Sequence, residues 1–283
     1  MKLSVIIPCF NAADTIALQL EALAKESWSQ QWEVIIADNG STDNTVSIAQ
    51  SYREKLPNFR IVDALDGRGA AFARNAGALA ATGEALAFCD ADDEVCPGWV
   101  AAMGEALSKY DFVAGRLKYE KFNELWQLSA LRTPMQEGLI QHKAPPSLEY
   151  APTCNLGIKR SLHLAIGGFD GSLYKTQDTE YCWRVQQTGI KLHFIPEAVV
   201  EYRHRSQLGD IYRQARDYSQ HSILLRQRYE DWSQLSKLKF IWGGWKQVLM
   251  HLLQIRNKGG LAAFIWSVGW KIGQLRAFFK YLV

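Results

Sequence analysis

Three carboxylates stand almost side by side in the stretch "ALAFCDADDE", at Asp90, Asp92 and Asp93, directly behind an apolar run. Two carboxylates ~5 Å apart repel by roughly 3 kcal/mol at an effective dielectric constant of ~20, so the cluster needs a cation or free access to water. A divalent cation that bridges a diphosphate suits it, because Mg²⁺ and Mn²⁺ prefer oxygen ligands. In that interpretation Asp92 binds the metal, and Asp90 accepts a hydrogen bond from a ribose or sugar hydroxyl. The alternative is a solvated acidic turn that caps the helix entered at Pro97, and the spacing alone does not separate the two.

A second polar cluster, "ADNGSTD", also follows an apolar run. An Asx turn followed by a helix cap explains Gly40, Ser41 and Asp43. It explains Asp38 less well, because a carboxylate at the end of a buried strand is unfavourable unless some group donates to it. A pyrimidine N–H or a ribose hydroxyl is a suitable donor.

Two arginines occur in "GRGAAFARNAG", at Arg68 and Arg74. Arginines on a helix most often lie on its solvent-exposed face. Near a diphosphate, however, a guanidinium group binds two oxygens at once, so these two residues are also candidates for phosphate binding.

Alternating strand and helix patterns position these clusters. The apolar runs "LSVIIP", "WEVIIAD", "FRIVDA" and "EALAFCD" predict four strands, and the segments between them have helical periodicity. We expect Asp14 to cap the first helix, and Ser41 or Thr42 to cap the second. Four strands separated by helices imply an α/β fold with a mostly parallel central sheet flanked by helices. Ligands bind such sheets at the carboxyl ends of the strands, where the polar clusters would converge.

The second half of the chain has a looser pattern. We predict a helix in "PGWVAAMGEALSKY", one or two strands in "DFVAGRLKYEKF", and a long loop over residues 129–153. A helix in "DTEYCWRVQQTG", strands in "KLHFIP" and "AVVEYRHR", and a helix over residues 207–230 follow. We therefore divide the chain into a catalytic domain, residues 1–231, and a tail, residues 232–283.

The tail differs from the body in charge. It contains eight Lys or Arg and no Asp or Glu, whereas residues 1–231 carry 24 basic and 29 acidic residues. Apolar residues at helical spacing over 239–255 and again from Leu261 to Phe279 predict two amphipathic helices. These helices either lie on an anionic membrane surface, pack on the catalytic domain or form a homodimer. The longest uncharged piece, "GGLAAFIWSVGW", is too short for a bilayer, which needs ~20 residues.

Composition and motifs exclude or weaken several other classes of protein. The 283 residues are 48% apolar, enough for a packed core, and no secretory signal or nucleic-acid partner is expected. Five widely spaced cysteines without a C-x-x-C pair indicate reduced thiols and a cytoplasmic protein. A dehydrogenase is disfavoured, because "PCFNAADT" replaces the glycine-rich loop after the first strand. A haloacid-dehalogenase-type phosphatase and a catalytically inactive sugar-binding module stay open.

Five segments together resemble glycosyltransferase family 2, the inverting nucleotide-sugar transferases with the GT-A fold. These segments occur in the family's order and at about its spacing, and the likeness spans residues 3 to about 205: "SVIIPCFNAADTI", "VIIADNGSTDNT", "GRGAAFARNAGALAATGEALAFCDADDE", "CNLGIKRSLHLAIGGFD" and "QDTEYCWRVQQTG".

The resemblance implies a role for each matched residue on the nucleotide side. The loop with Pro8, Phe10 and Asn11 would contact the nucleobase and ribose together with Asp38. Arg68 and Arg74 would lie near the nucleotide. Asp90 and Asp92 would form the Asp-x-Asp motif that serves the ribose and a Mn²⁺ or Mg²⁺ ion.

The resemblance also implies a reaction. Asp178 matches the catalytic base, while Gln177 stands where the family usually has Glu. His204 would be a further metal ligand, although a lone histidine after a strand is more often structural. The Gln-x-x-Arg-Trp signature of processive synthases is absent, which favours transfer of one sugar from a UDP, GDP or dTDP sugar to a glycan or lipid-linked acceptor. The protein would work in the cytoplasm, either free or at the inner face of the membrane.

Overall fold

The structure, a computed structural model, describes residues 1–142, 145–230 and 242–282, which form two compact units. The first unit comprises Met1–Lys118, Pro134–His142 and Leu148–Tyr202. It is built on an eight-stranded sheet and a separate two-stranded hairpin. The ten strands are β1 (Leu3–Cys9), β2 (Trp32–Asp38), β3 (Arg60–Asp63), β4 (Ala85–Phe88), β5 (Glu94–Val95), β6 (Phe112–Lys118), β7 (Ile140–Gln141), β8 (Glu149–Tyr150), β9 (Leu156–Lys159) and β10 (His193–Glu201).

The large sheet has the order β3-β2-β1-β4-β9-β6-β10-β5, and β7 pairs with β8. Strands β1 to β4 are mutually parallel, as predicted, and β6 is parallel to β10. Strand β9 runs antiparallel to both of its neighbours, and β5 runs antiparallel to β10. The strands β1, β2 and β4 are buried almost throughout, which explains their continuous apolar runs. The predicted mostly parallel sheet with flanking helices is confirmed.

Six helices belong to this unit: α1 (Ile16–Ala24), α2 (Thr45–Gln50), α3 (Ala70–Ala80), α4 (Trp99–Lys109), α6 (Arg160–Ala165) and α7 (Gln177–Gln187). The predicted caps of the first two helices are wrong. Thr15 precedes α1, Asn44 precedes α2, and neither helix has a side-chain cap. Ser41 and Thr42 are used instead in hydrogen bonds between two loops, which are described below.

Two further predictions need correction. Residues 129–153 are not one loop, because they contain the hairpin β7–β8. The segments "KLHFIP" and "AVVEYRHR" form the single strand β10, whose pairing with β6 shifts between Ile195 and Val199. Pro196 lies in the shifted part, where its missing N–H interrupts the ladder.

The second unit comprises Tyr119–Thr133, Lys143–Ser147 and Arg203–Val283, and its described part is helical. The helices that the structure describes in this unit are α5 (Leu125–Ala130), α8 (Leu208–Tyr229), α9 (Trp245–Leu253) and α10 (Lys258–Ala277), and a π-helical turn, Phe278–Leu282, follows α10. Glycines let α10 approach α8 closely. A Cβ on Gly273 would lie 2.2 Å from the carbonyl oxygen of Arg216, and one on Gly269 would lie 2.7 Å from that of Tyr212. Helix α10 is therefore a core helix of its unit.

The predicted tail is a pair of helices in its described part, which confirms a helical C-terminal extension. The boundary drawn between residues 231 and 232, and the start of the first amphipathic helix at 239, lie outside the described residues. Within the described ranges, no helix is both long enough and apolar enough to cross a bilayer.

Candidate nucleotide-binding and catalytic site

The polar clusters meet at the carboxyl edge of the large sheet. Strand β1 lies between β2 and β4, with Cys9 paired to Asp38 and Ile6 paired to Phe88. Asp90 and Asp92, which follow β4, therefore lie near the end of β1. Burial raises the pKa of the Cys9 thiol well above its usual value, and the negative charges of Asp38, Asp90 and Asp92 raise it further. The negative charges of three carboxylates, one at the end of β2 and two after β4, therefore all affect the pKa of one buried thiol.

Asp38 is held by its own turn. Its buried carboxylate accepts hydrogen bonds from the backbone N–H groups of Gly40 and Ser41, at 3.1 and 3.0 Å, and from the Ser41 hydroxyl at 2.5 Å. Gly40 has a φ of 80°, a conformation that glycine adopts without strain. The donors to Asp38, which were expected to come from a ligand, are thus supplied by its own turn.

The loop after β1 is tied to the same turn. The backbone N–H of Asn11 donates to the Ser41 hydroxyl at 2.9 Å, and its side-chain oxygen accepts from the backbone N–H of Thr42 at 2.8 Å. Pro8 is half-buried within β1, whereas the Phe10 ring is 61% exposed. The two loops form one hydrogen-bonded rim that presents the Phe10 ring to solvent.

Asn39 fixes the next loop, a role that the sequence patterns did not predict. Its side-chain amide donates to the carbonyl oxygens of Ala64 and Gly67, the second at 2.7 Å, and its oxygen accepts from the N–H of Gly69 at 2.8 Å. A carboxylate could not donate these two bonds. The amide at this position therefore has a structural role in holding the loop that carries Arg68.

Arg68 and Arg74 differ in their surroundings. Arg68 is exposed and pairs with no residue that the structure describes. Arg74, on α3, is 3% exposed, and its Nη2 donates to the Asp90 carboxylate at 2.7 Å. The Nε and Nη1 atoms of Arg74 are buried and have no hydrogen-bond partner among the described residues. A buried guanidinium group with two unused donor atoms is unfavourable unless a ligand or a bound water brings acceptors to it.

Gln19, which the sequence patterns did not single out, holds the acidic turn in place. This fully buried side chain on α1 donates to the Asp90 carbonyl oxygen at 3.3 Å and accepts from the backbone N–H of Val95 at 2.9 Å. Gln19 lies three residues after Ile16 and beside Leu20, on the apolar face of its helix. A polar residue on a buried face was the signal that could have found it.

The acidic turn fits a hard divalent cation. Asp90 and Asp92 are half-buried, and Asp93 is buried. Among the described residues, one group of ligand atoms clusters within 4.8 Å, those of Asp90, Asp93 and Cys154. Burial and the charges of Asp93 and Asp90 raise the pKa of the Cys154 thiol well above its usual value. A sulfur atom is also not the type of ligand that Mg²⁺ and Mn²⁺ prefer. The carboxylates are oxygen donors of the type that Mg²⁺ and Mn²⁺ prefer. Asp92 is outside this group, and its role as the metal ligand stays a prediction.

His204 belongs to the second unit. Its ring stacks on Tyr119 with 5.1 Å between the ring centroids, and its backbone N–H donates to Asn123 at 2.8 Å. Burial lowers the pKa of His204 to about 4, so the imidazole is neutral near pH 7. A neutral imidazole is the form that binds metals, but the ligand role of His204 is still a prediction.

Asp178 is the second residue of α7 and is half-buried. Burial raises the pKa of its carboxyl group, while a hydrogen bond from the N–H of Thr179 at 2.8 Å and the positive charge of Arg74 oppose that shift. Asp178 and Asp90 are therefore both within the electrostatic reach of the same buried arginine. Gln177, which replaces the usual Glu, is half-buried at the first position of the helix.

A partly buried ion pair connects α7 to the turn at Gly167 and Gly168. Arg184 donates to both carboxylate oxygens of Glu180, at 2.8 and 2.9 Å, and to the carbonyl oxygens of Ile166 and Gly168. Both glycines have positive φ, 79° and 70°. These glycines thus form a tight turn that Arg184 fastens to the helix that carries Asp178.

The chain resembles known proteins in sequence and in fold. The family model described as glycosyl transferase family 2 matches residues 4–167. The glycosyltransferase YibD of Escherichia coli is 48% identical over 96 residues, which are 34% of this chain and 27% of that protein. The glycosyltransferase AglE of Haloferax volcanii is 27% identical over 199 residues, which are 69% of this chain and 65% of that protein. The chain thus spans less than two thirds of the length of either relative.

A solved structure confirms the fold. The mannosyltransferase PcManGT from Pyrobaculum calidifontis, in complex with GDP-Man and Mn²⁺, superposes with a TM-score of 0.69 at 16% identity. The match covers 99% of this chain and 87% of that one. The predicted GT-A fold is confirmed.

Proposed function

Because this chain belongs to glycosyl transferase family 2, we propose that it moves one sugar from a nucleotide diphosphate sugar to the hydroxyl group of an acceptor, with inversion at the anomeric carbon. The proposal rests mainly on the surroundings of the buried Arg74. This residue lies at the carboxyl edge of the sheet beside Asp90, and its Nε and Nη1 atoms have no partner in the described part of the chain. A diphosphate supplies the acceptors that these atoms lack.

The rim formed by the two loops accounts for nucleotide binding. The exposed Phe10 ring offers a flat apolar surface to a nucleobase, and the loop positions of Pro8 and Asn11 set its place. Asp38 and Asp90 each have a carboxylate at this edge that can accept hydrogen bonds from ribose hydroxyls. The exposed Arg68 has its charge available to the diphosphate.

Asp178 would act as the base. Its carboxylate takes the proton of the acceptor hydroxyl while the acceptor oxygen forms a bond to the anomeric carbon. The bond from that carbon to the diphosphate breaks in the same step, which releases a nucleoside diphosphate and inverts the centre. Burial raises the pKa of Asp178, so it accepts a proton more readily than an exposed aspartate. Protonation at low pH removes the base, so the rate should fall as pH decreases.

A divalent cation fits the acidic turn, where Asp92 would hold Mg²⁺ or Mn²⁺, and a bound ion would neutralise charge that develops on the diphosphate. The solved mannosyltransferase contains Mn²⁺. The role of His204 in metal binding is a separate prediction.

The other partners follow from the proposed reaction. The donor carries UDP, GDP or dTDP, and the acceptor is a glycan or a lipid-linked molecule. The five cysteines are free thiols, four of them buried, which agrees with work in the cytoplasm, either free or at the inner face of the membrane. Homodimer formation stays an alternative.

A thermal-shift screen tests the donor and the metal together. We expect one nucleoside diphosphate, with Mn²⁺ or Mg²⁺, to raise the melting temperature, and a chelator to abolish the effect. Asp92→Asn should lose the metal-dependent part of the shift. Asp111→Asn is the matched control, since Asp111 is exposed and lies next to Lys159, which pairs with Ala85 at the amino end of β4.

The screen also has contrary outcomes. No stabilisation by any nucleoside diphosphate would refute the proposed donor class. Stabilisation that survives both chelation and Asp92→Asn would refute the metal-dependent arrangement. Binding without turnover against any glycan or lipid-linked acceptor would favour a binding module.

A further inference from the structure

Helix α9 has an apolar face that the described residues of its unit leave largely exposed. None of its residues is buried. Trp245, Leu249 and Leu252 recur at helical spacing and are 44%, 56% and 47% exposed. Leu253, four residues after Leu249 at the end of the helix, is 74% exposed, and so is Trp242, just before the helix. These five residues are called the outer face below.

The opposite side of α9 is attached to α10. Val248 and His251 are half-buried, and Nδ1 of His251 lies 2.5 Å from the Ser267 hydroxyl oxygen on α10. Lys271 of α10 donates to the carbonyl oxygen of Gly243 and lies 5.6 Å from the centre of the Trp245 ring. The helix therefore already has an internal packing partner, and the outer face remains in addition to it.

The charged residues of the segment that contains α9 and α10 all have one sign. Residues 242–282 contain six basic residues and no Asp or Glu. Lys246 and Arg256 are exposed, and neither forms an ion pair with a described acidic residue. Residues 1–231, by contrast, have more acidic than basic groups. Lys246 lies on α9 and Arg256 follows the helix by three residues, so these two exposed basic residues are the ones next to the exposed Trp and Leu side chains in the sequence.

The combination of exposed apolar residues and basic residues favours an anionic lipid surface as the partner. Leu and Trp on one face, flanked by Lys and Arg, are typical of helices that lie in the plane of a membrane interface. Anionic lipid headgroups complement the basic residues. A second copy of the chain would bring the same positive charges against them, which is repulsive. A helix of nine residues is far too short to cross the hydrocarbon core.

We propose that the outer face of α9 docks on an anionic lipid surface, with the helix lying in the interface and Lys246 and Arg256 against the headgroups. The docking is independent of the proposed sugar transfer, since no residue of the nucleotide site takes part in it.

Vesicle co-sedimentation of the full chain tests the proposal. We use vesicles of phosphatidylcholine alone and vesicles of phosphatidylcholine mixed with phosphatidylglycerol. The chain should bind the mixed vesicles, and salt should weaken the binding. Leu249→Glu combined with Leu253→Glu should lower the partition coefficient at least ~tenfold, because two charges enter the apolar face. Lys246→Gln combined with Arg256→Gln should lower it at least ~threefold on the mixed vesicles.

A matched control separates the surface from general effects of charge. Leu79 is a leucine on α3 that is 68% exposed, so Leu79→Glu makes the same chemical change on an exposed helix outside the tail. It should leave vesicle binding unchanged. Circular dichroism and the nucleotide-induced thermal shift of each variant check that folding and donor binding are intact.

Three results would overturn the proposal. The wild-type chain could fail to bind the mixed vesicles. The Leu249→Glu and Leu253→Glu variant could bind them as well as the wild type. Light scattering could instead show a wild-type dimer that the same variant converts to a monomer while vesicle binding persists, in which case a second copy occupies the outer face.

Discussion

Glu33 stabilises the amino end of the sheet through a carboxylate that is almost completely buried. The side chain belongs to β2 and is 2% exposed. It accepts hydrogen bonds from the hydroxyl of Ser4 at 2.6 Å, the N–H and hydroxyl of Thr82 at 2.7 and 2.8 Å, and the guanidinium group of Arg60 at 2.7 Å. Burial alone would raise the pKa of Glu33, but these hydrogen bonds outweigh it and lower the pKa from 4.5 to about 2.

The size of the effect follows from this pKa. A difference of about 2.5 between the unfolded and folded pKa values corresponds to roughly 3 kcal/mol of stability. Because the folded pKa is the lower one, this stability is fully present above pH 4.5 and is lost as pH falls toward 2. Between pH 7 and pH 3 the ionisation of Glu33 should lose roughly 2 kcal/mol.

Urea unfolding of the wild type and of Glu33→Gln, followed by tryptophan fluorescence from pH 7 to pH 3, measures this effect. The difference in unfolding free energy should be about 3 kcal/mol at pH 7 and should shrink by roughly 2 kcal/mol at pH 3. Glu105→Gln, which removes an exposed carboxylate on α4, is the control and should change little. A difference that does not depend on pH, or one below about 1 kcal/mol at pH 7, would refute the reasoning.

Three further predictions concern the candidate site. Arg74→Met should weaken binding of the nucleoside diphosphate at least ~tenfold in calorimetric titration, because the buried donors are lost. Since the charge of Arg74 lowers the pKa of Asp178, the same variant should move the acid limb of the kcat profile to higher pH. Asp178→Asn should bind the donor normally yet lose at least ~100-fold in transfer, and near-normal turnover would remove Asp178 from the role of base. Asn39→Asp should lower the unfolding free energy by about 2 kcal/mol, because two donated hydrogen bonds are lost and a carboxylate faces two carbonyl oxygens; unchanged urea unfolding would contradict this.

The first half of the fold could be predicted from the sequence because its signals are local. Strands β1 to β4 are apolar runs of the length that a doubly covered parallel sheet requires, and helices separate them. Once the strands are parallel, their carboxyl ends must share an edge. The meeting of Asp38, Asp90 and Asp92 therefore followed from topology, and the structure brings them together around Cys9.

The second half of the fold could not be predicted as well, because its strands pair with segments that are distant in the sequence. Strand β9 is only four residues long, and nothing in "LGIK" indicates that it inserts antiparallel between β4 and β6. The short hairpin β7–β8 has the same difficulty, since its strands have two residues each. A hydrophobic pattern predicts a strand only when it extends over several residues, and these strands are too short for that.

Within the site, residue types could be predicted but their partners could not. Asp38 was identified correctly as a carboxylate that needs donors, yet the donors come from its own turn at Gly40 and Ser41. Asn39 and Gln19 bind backbone groups of segments far away in the sequence. Their hydrogen bonds depend on the folded positions of those segments, which composition and spacing do not specify.

Anomalous diffraction from crystals grown with Mn²⁺ and the nucleoside diphosphate found by thermal shift is the most direct measurement of the proposed site. We expect a manganese peak between the Asp92 carboxylate and the diphosphate, with the guanidinium group of Arg74 hydrogen-bonded to the nucleotide or its phosphates. A nucleotide bound elsewhere, or bound at this edge with Asp92 facing bulk solvent and no manganese beside it, would contradict the proposed site.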